Sequence, residues 1–300
     1  PTVTVQPQAY RLRILNAAND RFVNLNFYVA DSAQVSRDGR TNTEVKVVPA
    51  AAGFWDQAAL PTWPADGRDG GVPDPAFVGP QFIQIGTEGG FMPRPAVIPH
   101  QPIDWVKDPT AFNFGNVIEK ALFLGPAERA DAIVDFSQFA GQTLILYNDA
   151  PAAVPARDPR FDYYTGAADL SDTGGYGRVP GTTGVVPCPT CTVKDGPQVG
   201  FGPNIRTVMQ VKVAAAPVGV TPAPFDLPAL EAAFAPNPAT GKLGIFERAQ
   251  DPIVVGQDAY NGVYTGVTFP VVWPYWGFSR IQDTTLSIMN AAGQYQTLPM

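Results

Sequence analysis

Apolar and polar residues alternate along this chain in short runs and do not recur every three or four positions. In residues 21–29, Val23, Leu25, Phe27 and Val29 fall on one face and Asn24, Asn26 and Tyr28 on the other, the pattern of a half-buried antiparallel strand. Residues 10–15 set Tyr10, Leu12 and Ile14 against Arg11 and Arg13, and residues 131–136 set Ala132, Val134 and Phe136 against Asp131, Ile133 and Asp135. Further strands are predicted at 2–5, 82–86 (FIQIG), 121–124, 143–147 and 207–213 (TVMQVKV), with a short one at 45–48. Turn-forming residues separate them: NAAND at 16–20, TEGG at 87–90, Gly125-Pro126, and 137–141. The strands within 121–150 carry apolar residues on both faces, which places them inside a two-sheet sandwich.

Long stretches without periodicity interrupt this pattern. Residues 30–80, 95–119 and 149–203 read as insertions, longer than ordinary connections. Residues 91–102 are broken by proline and extended. An Ala/Pro run at 214–228 is the expected boundary between a sandwich over 1–213 and a connector over 214–300. In the connector, a helical turn is expected at 230–234 and isolated strands at 253–255, 263–269 and 284–289. Glycine and proline together number 61 (29 + 32), which suits a β protein with many turns and leaves little room for long helices.

Composition narrows function mainly by exclusion. Hydrophobic residues at 45% support a packed core, and charged residues at 16% are fewer than usual. The net charge of −7, from 27 acidic and 20 scattered basic residues, argues against nucleic acid, which requires clustered Lys and Arg. No stretch has the apolar length of a membrane span. No signal peptide is visible, since Pro1 opens into a polar strand, and the expectation is a segment of a longer protein.

Several motifs in series resemble one family. YRLRILNA, FIQIGTEGG, LGPAERADAIVDF, GQTLILYN and TVMQVKV follow each other as in the middle cupredoxin-like domain of three-domain bacterial multicopper oxidases, the group of spore-coat laccases and bilirubin oxidases. Residues 10–17 resemble the family's first strand and Asn-containing turn, 82–90 its IQIG-x-(D/E)-GG segment, and 126–136 its PAER-x-D-(hydrophobic)₃-DF segment. The match covers roughly a third of the chain in order, and motifs in series are more specific than any one alone. Ala130 departs from the family, which usually carries an aromatic residue there. The resemblance implies a cupredoxin-like Greek-key β-sandwich. It implies copper in the parent enzyme, with the ligands in the first and third domains, and flanking copper-bearing domains as partners. It also implies an exported protein, periplasmic, cell-surface or extracellular. The parent would remove electrons singly from its substrate and pass them to dioxygen.

The residue inventory points the same way. A blue copper site requires two His and a Cys thiolate, and this chain has one histidine, His100. No copper ligand and no catalytic residue is assigned within the chain. His100, in PHQP, reads as a solvated loop histidine. Glu128, Arg129 and Asp131 cluster, and the structural reading of a turn-entry Arg tied to carboxylates by charge-assisted hydrogen bonds is preferred to acid–base work. Cys188 and Cys191 form CPTC among prolines and glycines; a local disulfide suited to an exported protein is favoured over a redox motif or zinc. Trp273, Tyr275 and Trp276 lie in an aromatic stretch, VVWPYWGF. It is either a packed connector or a patch contacting a partner, and a secreted module binding polysaccharide or protein through that patch is the alternative function.

Overall fold

A computed structural model of the chain describes residues 1–48, 71–104, 106, 110–113, 116–150, 163–167, 169, 196–201, 204–249, 285–289 and 295–299. The strands are β1 (Thr2–Val5), β2 (Ala9–Leu15), β3 (Val23–Val29), β4 (Val47–Val48), β5 (Val72–Pro73), β6 (Phe82–Thr87), β7 (Gly90–Ile98), β8 (Leu122–Leu124), β9 (Arg129–Asp135), β10 (Thr143–Asn148) and β11 (Thr207–Val213). Two helices follow, α1 (Leu227–Phe234) and α2 (Ile245–Ala249), then β12 (Thr285–Met289) and β13 (Tyr295–Pro299). One compact unit runs Pro1–Ala249, so the Ala/Pro run at 214–228 lies within it. Gln250–Met300 form a second unit, in which β12 and β13 pair antiparallel.

The first unit is built on two main sheets, with β4 and β5 paired apart as a short antiparallel ribbon. One has the order β1-β11-β10-β3-β8, with β1 parallel to β11 and the other pairings antiparallel. The other is antiparallel with the order β2-β9-β6-β7. Their inner faces share one core. Leu25, Phe27, Leu122, Leu144, Leu146, Val211 and Val213 from the first sheet meet Phe82, Ala130, Ala132 and Val134 from the second. Phe27 sits at its centre, 5.3 Å from the Phe82 ring and 5.5 Å, edge-on, from Phe136. Each such phenyl group removed from water contributes about 1.5–3 kcal/mol, and the edge-on geometry suits the ring quadrupoles.

The period-two pattern therefore positions the strands and their inward faces. On β3 it understates burial. Asn24, Asn26 and Tyr28, expected on a solvated face, are 1%, 2% and 3% exposed. Their face is covered by the segment at His100 and Gln101, while Val78 pairs with Tyr28 along the strand's edge. Gly79 permits this close edge pairing, because a Cβ there would lie 2.9 Å from the Phe27 carbonyl. The proline-broken stretch after residue 90 is a strand. Pro93 and Pro95 fall where the β6–β7 pairing lapses, between Phe91 and Ala96, so neither removes a ladder hydrogen bond. The helical turn expected at 230–234 is the end of a longer helix. Asp226 caps α1 through its side chain to the Ala229 amide, a proline occupies the first turn, and Phe234 is buried against Phe91.

Candidate functional site

Three of the motifs that carry the resemblance, those of β2, β6 and β9, converge on one end of the four-stranded sheet. The turn between β6 and β7 has two central residues, Glu88 and Gly89, both at positive φ (51° and 92°). Two left-handed residues in a two-residue loop match the right-handed twist of the strands. This geometry directs the Glu88 carboxylate at the start of β9. One of its oxygens accepts from the Arg129 amide at 2.8 Å, and the other pairs with the Arg129 guanidinium at 2.6 Å. The Thr87 hydroxyl donates to the Arg129 carbonyl.

Immediately before Arg129, the Glu128 carboxylate accepts from the Gly125 amide and so closes the turn Gly125-Pro126-Ala127-Glu128. Ala127 holds φ 66° there, a conformation that costs a non-glycine residue about 1–3 kcal/mol and persists only where its surroundings fix it. The surroundings do: the Ala127 amide donates to the Asn16 carbonyl, and the Asn16 amide donates to the Glu128 carbonyl. The Asn16 side chain donates in turn to the carbonyls of Arg21 and Leu124. Asp131, the next outward residue of β9, accepts both arms of the Arg11 guanidinium from β2. Arg13 approaches it only to 3.9 Å. The hydrogen bond to the Asp131 carboxylate holds Arg11 more firmly protonated, against the opposing effect of burial.

The structure thus places Glu128, Arg129 and Asp131 together. The Glu128 carboxylate is engaged by a backbone amide, and those of Glu88 and Asp131 by guanidinium groups. What results is a clamp that joins the β2 turn, the β6–β7 hairpin and the entry to β9. Sequence reasoning missed Arg11, Asn16 and Glu88 as members. The alternation of β2 put Arg11 on the outer face, but its partner depends on the β2–β9 register.

A second polar hub lies on the outer face of the other sheet. Asn24 uses every polar group: its backbone amide donates to the Asn148 side-chain oxygen, its side-chain nitrogen donates to the Gln101 carbonyl, its side-chain oxygen accepts from the Ala121 amide, and its carbonyl accepts from the Asp149 amide. His100 sits nearby, its ring 5.8 Å from Tyr28. It is not the solvated loop histidine expected. Its Nε2 is buried without a hydrogen-bond partner among the described residues. Burial lowers its pKa, partly offset by a hydrogen bond to the Phe27 backbone. Burial also raises the Tyr28 hydroxyl, with the charge of Asp149 adding to the effect.

The described residues do not fit a copper centre. Around His100 the ring neighbour is Tyr28, and the chain has no second imidazole. No group of three or more His, Cys, Asp or Glu is placed to hold a metal among the described residues. Cys188, Cys191, Trp273, Tyr275 and Trp276 lie outside the described residues. No helix among the described residues is long and apolar enough to cross a membrane.

No protein-family model matches the chain. It is 26% identical over 150 residues to a laccase of Bacillus stratosphericus, an alignment covering 50% of this chain and 16% of that protein. It is 23% identical over 159 residues to multicopper oxidase LPR1 of Arabidopsis thaliana, covering 53% of this chain and 15% of the relative. The chain therefore spans less than a fifth of the curated relatives it matches. Among solved structures, McoA multicopper oxidase from Aquifex aeolicus aligns over 75% of this chain and 26% of its own, at 14% identity and a TM-score of 0.29. The likeness rests on the sequence alignments. The chain is an all-β, cupredoxin-like sandwich, similar over half its length to laccases and related multicopper oxidases.

Proposed function

We propose that this chain is the middle, non-metal-binding cupredoxin-like domain of an exported multicopper oxidase. Its role is to hold two flanking copper-bearing domains at the separation that electron transfer between them requires. The whole enzyme would carry out laccase-like one-electron oxidation coupled to dioxygen reduction. The observation that carries this reading is the clamp. Three of the five motifs shared with that family meet in one place, and there Arg11, Glu88, Glu128, Arg129 and Asp131 are spent on backbone amides and on one another. Such residues preserve a shape. They do not perform a reaction.

The chain expressed by itself and supplied with copper should show no blue thiolate-to-copper absorbance and should not oxidise a phenolic dye. Tight binding of copper in whole-number stoichiometry by this chain would overturn the proposal. So would a parent reading frame lacking paired His-x-His motifs upstream and a His-Cys-His segment downstream.

A further inference from the structure

The outer face of the four-stranded sheet carries a cleft of about 280 Å³ beside the clamp, lined by residues of β2, β9 and the start of β7. That volume lies near the lower limit of small-molecule pockets, roughly 300–1,000 Å³, and suits a ligand of one or two rings. Three guanidinium groups border it: Arg11, Arg13 and Arg129. Two carboxylates face them, and both are engaged. Asp131 receives both arms of Arg11, and Glu88 receives Arg129. Arg13 is left in excess. Its side chain is 79% exposed and stops 3.9 Å from Asp131, beyond hydrogen-bonding distance.

A surplus cation stands out in a chain whose net charge is −7. The rest of the lining is apolar or bare. Leu15 and Phe91 supply hydrocarbon, and Gly89 and Gly90 leave backbone without side chains at the rim. The Phe91 ring is held from behind by Phe234 of α1 and lies 5.6 Å from the Arg11 guanidinium. One ring wall, one apolar floor and one planar cation without a full partner form a complementary set for a flat molecule with a single negative end.

We propose that this cleft binds a small aromatic carboxylate, its carboxylate forked by Arg13 and its ring against Phe91 and Leu15. Guanidinium groups match carboxylates through two parallel N–H···O bonds, and an aromatic contact with Phe91 adds to them. The site owes nothing to copper and stands or falls apart from the scaffold role proposed above.

The test uses the full chain and three probes in ligand-observed NMR titrations: 2-naphthoate, the neutral 2-naphthylmethanol, and acetate. Naphthoate should bind saturably, at least about tenfold more tightly than either the alcohol or acetate, since a charge-assisted fork contributes on the order of one such factor. Arg13→Gln should weaken naphthoate about tenfold, and Arg13→Lys should restore only part of the loss. Arg13 is exposed and outside the core, so both variants should keep the parent's thermal midpoint. Equal affinity for the alcohol, no saturable naphthoate binding, or indifference to Arg13→Gln would each overturn the proposal. Arg13-dependent capture of an aspartate-rich peptide with no binding of naphthoate would also overturn it, and would make the cleft a protein-docking surface.

Discussion

At the scale of single residues, burial decides which polar groups matter. Glu44 is 8% exposed and faces neutral donors: the Gly200 amide at 3.1 Å, with the Asn204 amide group and the Thr207 hydroxyl farther off. Burial raises its pKa, and the hydrogen bonds from Gly200, Thr165 and Thr207 only partly offset this. A carboxyl whose folded pKa lies above its unfolded value favours the folded state while protonated. That contribution is complete below the ordinary carboxylate range and is lost as pH rises through the folded pKa. Glu44→Gln cannot ionise. The melting temperature of the parent relative to this variant should therefore fall as pH rises from about 4 to about 7. Differential scanning fluorimetry of both proteins across that range checks the sign, and parallel curves would refute it. Gly86 matters for a different reason. A Cβ on it would lie 2.5 Å from the Gly90 carbonyl oxygen and 3.2 Å from Asp131. Gly86→Ala must push apart two backbone segments, and a loss of about 2–4 kcal/mol is expected in denaturant unfolding.

Among the elements, the β6–β7 hairpin is fixed at its tip by Glu88 and Arg129. Both side chains are about half exposed, 47% and 49%, so the ion pair alone is worth little, roughly 0.2–1 kcal/mol. The hydrogen bond that the Arg129 backbone amide donates to Glu88 is expected to supply the larger part of the anchorage. A double-mutant cycle with Glu88→Gln and Arg129→Met should thus give a coupling below about 1 kcal/mol, while Glu88→Ala, which abandons the amide as well, should cost more than Glu88→Gln. A coupling well above that bound in urea titrations would show that the ion pair dominates. The hairpin also shows how far sequence reaches. TEGG announced a turn because glycine tolerates positive φ, and the strands on either side alternate clearly. Nothing local foretold that Glu88 would reach forty-one residues onward to Arg129, because that depends on the sheet order β2-β9-β6-β7. The same limit applies to β3. Its alternation was legible, but the covering of its polar face comes from the segment near His100, whose path carries no periodic signal. The helix α1 was legible only in its last turn; its start rests on Asp226, an aspartate among prolines that composition alone reads as linker.

For the molecule as a whole, the inventory of residue types said most about chemistry, and the folded arrangement said most about shape. One histidine was enough to argue that copper ligands belong elsewhere, which is why the copper-loading experiment is the decisive test of the proposed role. The arginine-bordered cleft could not be read from sequence, since Arg11, Arg13, Phe91 and Arg129 are brought together only by strand pairing. The parallel pairing of β1 with β11 has a temporal meaning as well. Thr2 lies beside Gln210 and Val5 beside Val213, so β1 gains this partner only after more than two hundred further residues have been made. Contacts of such sequence separation slow folding, because loop closure must precede their reward. During synthesis β1 waits for this partner, and completion of the five-stranded sheet is reserved for the moment β11 emerges.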